Sequence, residues 1–132
     1  MIVCDASTVV LALGDDGPAG DAARQRLSGE LLSAPELLDV EVVSAWRRHE
    51  AAGLLDARRA SLARSDLRDL PVQRVTHRLL MERCWELRAN VTVYDAVYVA
   101  LAELLDAPLV TADRKLANAP NLPCRVEALA TS

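Results

Sequence analysis

The sequence predicts an α/β domain, a three-layer sandwich in which helices flank a central, mainly parallel sheet of four to five short strands. Three observations carry this. Short apolar runs, each closed by an acid or a turn residue, alternate with longer segments whose apolar positions recur at helical spacing. The chain has 132 residues, enough for one domain, expected to span 1–132. Hydrophobic residues make up 52% and aromatics only 3%, with no Phe, so the core is expected to be built from Leu, Val and Ala.

The elements follow in order. Ile2-Val3-Cys4 reads as a buried parallel strand closed by Asp5. Ala6 to Leu13 continues as a helix, and Gly14-Asp15-Asp16-Gly17-Pro18 is a turn cluster. Ala19 to Leu27 is a second helix. Leu31 to Ala34 is a second strand, stopped by Pro35. From Pro35 to Ala52, Leu38, Val42, Ala45 and Trp46 recur at helical spacing, and Gly53 closes the helix. Asp56 caps the next helix, populated by Leu62, Leu67 and Leu70 and ended by Pro71. Val72 to Val75 is a strand. Thr76 caps a helix running to about Ala89, and Thr92 caps another with a broad face of Ala96, Val97, Ala100, Leu101 and Leu104. Leu109-Val110-Thr111 is a strand, Ala112 to Leu116 opens a short helix, and Cys124-Arg125-Val126 is the last strand.

Composition narrows the function classes. No apolar run reaches the roughly 18 residues of a membrane span, and MIVCDAS lacks the basic and long apolar regions of a signal peptide. Cys4, Cys84 and Cys124 are odd in number and far apart, which suits neither a disulfide framework nor a CxxC zinc site. A reducing cytoplasm is the expected compartment. The net charge of −4 argues against a simple basic nucleic-acid binder. A nuclease that recruits divalent metal escapes that objection, because the ion brings positive charge to the site.

Among 19 acids, four sit where a surface charge should not. Asp5 interrupts IVCDASTVVLAL, Glu41 lies in LLDVEVVSAW, Asp95 in VTVYDAVYVALA and Asp113 in LVTADRKL. A buried carboxylate is costly unless paired or metal-bound. Each also has an ordinary role open to it. Asp5 can cap the following helix, Asp95 can favour its helix N-terminus, Glu41 can pair with Arg47 or Arg48, and Asp113 can cap a turn. Jointly these alternatives weaken, because all four are expected on one rim of the sheet, where parallel sheets bind ligands. Oxygen ligands without His or Cys select Mg²⁺, with Mn²⁺ as substitute. Such a cluster fits phosphodiester hydrolysis by metal-activated water. Ser7 and Thr111 are candidates to hold an acid or a water by their hydroxyls, with capping as the alternative role. His49 and His77 lie in polar helical contexts and are expected at the surface.

These segments resemble a known family. IVCDASTVV, LLDVEVVSAWRRHEAAG and TVYDAVYVALAELLDAPLVTADRKL, with a closing strand, resemble a PIN domain of the VapC type, the toxin ribonuclease of type II prokaryotic toxin–antitoxin pairs. The resemblance covers nearly the whole chain. It implies a PIN-like fold and a Mg²⁺-dependent endoribonuclease with Asp5, Glu41, Asp95 and Asp113 as catalytic and metal-binding acids. It further implies an RNA substrate (tRNA, rRNA or mRNA), a homodimer, and a VapB-type antitoxin that wraps the toxin and places a basic residue among the acids. One departure is Leu116, where family members commonly carry an aromatic. The apolar faces bearing Trp46 and Leu55 are candidates for the dimer contact, with a core role for Trp46 as the alternative.

Readings from other classes fare worse. A non-catalytic receiver-like signalling module needs an acidic pair at the first strand and an Asp after the third; Asp15-Asp16 comes too late and no Asp follows Val75. A haloacid-dehalogenase-like phosphatase wants an Asp where Ser7 stands, and no G-x-x-x-x-G-K-[ST] is present. A module of this fold that binds RNA without cutting it is disfavoured by the full set of four acids.

Overall fold

The computed structural model describes residues 1–130. Five strands pair in parallel in the order β3-β2-β1-β4-β5. They are β1 (Ile2–Cys4), β2 (Leu32–Pro35), β3 (Val72–Val75), β4 (Leu109–Thr111) and β5 (Val126–Ala128). The helices are α1 (Ala6–Gly14), α2 (Pro18–Leu27), α3 (Leu37–Ala51), α4 (Ala57–Asp69), α5 (Met81–Glu86), α6 (Val93–Leu105) and α7 (Arg114–Ala117). The expected α/β sandwich is therefore present, and its described sheet is parallel throughout.

The strand order decides where a ligand can sit. From β1 the chain steps outward to β2 and β3, then returns to place β4 on the other side of β1. With right-handed crossovers, that reversal sends the connecting helices to opposite faces. The packing agrees: α1 packs on α2, α3 and α4, while α6 packs on α5 and against β1 and β2. The switch in direction falls between β1 and β4, and in open parallel sheets the crevice at such a point is the usual ligand site.

The core is aliphatic, as the composition requires. Ile2, Val3, Cys4, Leu109 and Val110 fill the sheet centre, and Val97 to Leu101 of α6 are buried as one continuous block. That block explains why YDAVYVALA is apolar almost all round: α6 lies in the core rather than on it. Gly53 closes α3 as anticipated. Its φ is +76°, Gly53 N–H donates to Glu50 C=O and Leu54 N–H to His49 C=O, the paired bonds of a Schellman cap.

Several expectations need correction. The helix expected from Thr76 to about Ala89 is a 3₁₀ turn over His77–Leu80 followed by the short α5. Only Leu80, Cys84 and Leu87 are buried there, too narrow a stripe to hold a longer helix. The last strand begins two residues later than expected, because Val126 rather than Cys124 registers with Leu109. In α4 the buried face is Ala60, Ala63 and Leu67, while Leu62 is exposed. Trp46 and Leu55 are both buried, so neither offers a dimer contact. Trp46 Nε1 donates to Val10 C=O at 3.4 Å and its indole lies against Gly14, which joins α3 to α1. Among the described residues, no helix is long and apolar enough to cross a membrane, and all three cysteines are free.

Candidate active site

Asp5 follows β1 directly and caps α1. It adopts extended backbone geometry, and its Oδ1 accepts from Thr8 N–H at 3.1 Å, as an N-cap should. Oδ1 also accepts from the Ser7 hydroxyl at 2.8 Å and lies 3.0 Å from the Thr8 hydroxyl. Oδ2 accepts from the Thr111 hydroxyl at 2.5 Å. The capping role weighed from the sequence is thus real, and it occupies Oδ1 more heavily than Oδ2. The two hydroxyls are oriented from behind. Ser7 Oγ accepts from Ala112 N–H at 3.0 Å, and Thr111 Oγ1 accepts from Asp113 N–H at 2.9 Å. With those lone pairs engaged, each hydroxyl has one proton to give, and gives it to Asp5. This pins the segment after β4 to the end of β1.

Burial pushes the Asp5 carboxyl above its ordinary range, against the opposing pull of the Thr111, Ser7 and Thr8 donors. The side chain is almost wholly enclosed by protein.

Glu41 lies in the second turn of α3 and is half-buried. It makes no ion pair with Arg47 or Arg48. Its Oε1 instead accepts from Tyr98 Oη at 2.7 Å. Burial raises its pKa first; the Tyr98 bond works against that, and the charges of Asp95 and Asp5 add to it. Asp95 stands in the first turn of α6, where its N–H donates to the capping Thr92 hydroxyl at 3.2 Å. It too is raised, by burial and then by Asp113 and Asp5. Asp113 caps α7 through Lys115 N–H at 2.9 Å. All four acids line one cavity of about 470 Å³ at the carboxyl ends of β1 and β4.

This arrangement can be set beside known proteins. The PIN domain family model matches residues 2–122. The chain belongs to the VapC group of the PIN-domain family. It is 44% identical over 126 residues to a protein of Mycobacterium tuberculosis named Ribonuclease VapC1, covering 95% of each chain. It is 43% identical over 129 residues to VapC ribonuclease Mb0985 of Mycobacterium bovis, covering 96% of each. Ribonuclease VapC12 of Mycobacterium tuberculosis is 38% identical over 130 residues, covering 98% of this chain and all of the relative.

In this PIN domain the four carboxylates surround a common space without converging. Among the described residues, no three His, Cys, Asp or Glu side chains are placed to close on a metal ion. The donor set still fits a hard divalent cation. It offers only carboxylate oxygens, and burial holds three of the four acids above their ordinary pKa, with the charge of neighbouring acids adding to it at Glu41 and Asp95. A cation would relieve both penalties. The basic groups lining the cavity, Arg48 and His49, leave the acids in excess.

Sequence reasoning missed two contributors. Tyr98 is assigned no role from the sequence, yet its hydroxyl reaches Glu41. The usable signal was its spacing, three residues after Asp95 and so on the same helical face. His49 was expected at the surface; it is half-buried and lines the cavity, while His77 is exposed as expected. One α-helical turn of α3 separates His49 from Ala45, another cavity residue, and no pattern in the sequence announces which face of α3 looks over the sheet rim.

Proposed function

We propose that this chain is the toxin of a type II toxin–antitoxin pair, a Mg²⁺-dependent endoribonuclease that cuts RNA by hydrolysis. The observation that carries the reading is the shared cavity of Asp5, Glu41, Asp95 and Asp113 at the switch point of a parallel sheet. The names of the VapC relatives support RNA as the substrate.

Asp5, Glu41, Asp95 and Asp113 would hold the ion, with Mn²⁺ able to replace Mg²⁺. The ion would supply charge that offsets the scissile phosphate and acidifies an attacking water. The chain's own residues prepare the site. Ser7 and Thr111 fix the Asp5 carboxylate in one orientation by donating to opposite oxygens. Tyr98 does the same for Glu41. Positioning of this kind is what preorganised sites rely on, since the groups need no rearrangement during reaction. Arg48, at the cavity wall, is suited to a phosphate oxygen. Water attacks phosphorus, the bond to the 3′ oxygen breaks, and that oxygen takes a proton. The products carry 5′-phosphate and 3′-hydroxyl ends.

The partner chemistry follows. An acidic cavity of this kind accepts a basic side chain, so a VapB-type antitoxin that inserts an Arg among the four acids would inhibit by occupying the metal position. A homodimer is part of the same reading, with its contact elsewhere than Trp46 and Leu55.

The test is RNA-end sequencing after brief expression of the wild-type chain and its Asp95→Asn form. Wild type should generate new 5′-phosphate ends that the variant does not, and purified protein should lose cleavage in EDTA and regain it with Mg²⁺ or Mn²⁺. Equal cleavage by Asp95→Asn, or 2′,3′-cyclic phosphate products, would sink the proposal.

A further inference from the structure

A second cavity adjoins the acidic one, and its chemistry differs. It measures about 330 Å³ and is lined by Leu37, Val40, Glu41, Ser44, Arg48 and Tyr94, within the range of small-molecule sites, roughly 300–1,000 Å³. Glu41 and Arg48 wall both cavities, so the two are neighbours. Tyr94 immediately precedes Asp95 and is 63% exposed; Val40 immediately precedes Glu41 and is 67% exposed. Two large apolar side chains therefore stand in water beside two of the four acids. Neither position is required by the core. Arg48 makes no ion pair among the described residues, and its guanidinium donates only to Ser44 Oγ at 3.1 Å. Ser44 accepts that bond and keeps its own proton to donate. The cavity thus offers an aromatic ring, apolar side chains, a hydroxyl donor and a guanidinium outside any ion pair, next to where a scissile phosphate would lie.

This combination matches one class of ligand. Single-stranded nucleic acid is held by aromatic stacking of bases together with cationic contacts to the backbone. We propose that this cavity seats the nucleobase of the nucleotide beside the scissile phosphate, stacked on Tyr94, while Arg48 contacts the backbone phosphate between the two cavities. The assignment rests on the ribonuclease reading and adds to it the subsite that selects an unpaired base at the cut. Tyr94 and Arg48 divide the work: the ring reads the presence of a base, the guanidinium only the charge.

The division makes the proposal testable with two polymers of equal charge. Binding of an end-labelled 12-nucleotide oligoadenylate is measured by fluorescence anisotropy against an abasic ribose-phosphate oligomer of the same length. Ca²⁺ replaces Mg²⁺, and a gel checks that the label stays intact. Wild type should bind the oligoadenylate more tightly than the abasic chain. Tyr94→Ala should lose about 5- to 150-fold on oligoadenylate and nothing on the abasic chain, and Tyr94→Trp should keep the wild-type preference. Arg48→Ala should weaken both polymers alike and lower the salt dependence by about one charge. Unchanged binding in Tyr94→Ala, or equal loss on both polymers, overturns the subsite. So does a shift of Tyr94→Ala toward monomer in light scattering with RNA binding intact, which would assign the patch to a second copy of the chain. Cleavage of total RNA by wild type in Mg²⁺, followed in parallel, reports separately on the ribonuclease reading.

Discussion

Tyr98 Oη donates to Glu41 Oε1 at 2.7 Å, joining helices that belong to opposite layers of the sandwich. The phenol ring is 2% exposed, so this bond is made in an environment where water competes poorly. It sets the orientation of a half-buried acid and partly opposes the push toward protonation that burial and neighbouring charge exert on it. Removal of the hydroxyl by Tyr98→Phe keeps the ring in the core and deletes only the donor. We expect a stability loss of about 1 kcal/mol by urea unfolding, the usual scale for a hydrogen bond to a partly exposed charge. The Mg²⁺ concentration for half-maximal cleavage should rise at the same time. In a Glu41→Gln background the same substitution should leave the metal requirement where it is; an additive effect would mean that Tyr98 acts on something other than Glu41.

Thr111 connects Asp5 to the chain behind Asp113. Its hydroxyl gives a proton to Asp5 Oδ2 and accepts one from Asp113 N–H. Thr111→Val preserves shape and strands both partners. About 2 kcal/mol of stability should be lost, in line with an unsatisfied buried polar group, whereas Thr111→Ser should restore most of it. Equal stability of the Val and Ser forms in denaturant titrations would show that the hydroxyl bonds carry little weight.

The acids also set a pH signature. Asp5, Glu41 and Asp95 are all raised in the folded state. A carboxyl with a raised folded pKa contributes stability below the unfolded value, near pH 4, and loses that contribution as pH climbs through the folded value. In EDTA the melting temperature should therefore fall as pH rises above about 4 and through the folded values of these acids. Glu30 and Asp16 are shifted the other way by Arg26 and Arg59, so their effect is confined to more acid solution. Mg²⁺ should reverse the fall at the upper end, and Asp95→Asn should melt higher than wild type at pH 7.5 without metal. A melting temperature that rises across this window in EDTA would contradict the electrostatics described above.

Gly14 reports on the joint between α1 and α3. A Cβ there would stand 2.5 Å from Trp46 Nε1, and Trp46 is itself buried and bonded to Val10 C=O. Gly14→Ala should cost about 1–3 kcal/mol, as overpacking does, and should move the tryptophan emission. An alanine variant as stable as wild type would mean that the indole has room to withdraw.

Much of this molecule is written locally. The apolar run before Asp5, the helical spacing through Trp46, the glycine after Ala52 and the capping Thr92 each act through neighbours a few residues away, and all four appear where the sequence puts them. Asp5 and Asp113 were legible for a similar reason, since Asp5 directly follows a short strand and Asp113 lies two residues past another. The least legible stretch, Thr76 to Ala89, is the one whose buried stripe is weakest.

By itself the sequence determined the alternation of strands and helices, the caps that bound them, and the four acids placed amid apolar residues, because periodicity and capping depend on contacts along the chain. Only the tertiary structure decided which elements meet. The sheet order sets β4 beside β1, and that brings the Thr111 hydroxyl to Asp5 across 106 residues. The layering brings Tyr98 to Glu41, turns Trp46 and Leu55 inward, and leaves Tyr94 and Val40 facing water beside the acids. Such pairings depend on how whole faces pack against one another, and the spacing of residues within one element fixes only which face it has to offer.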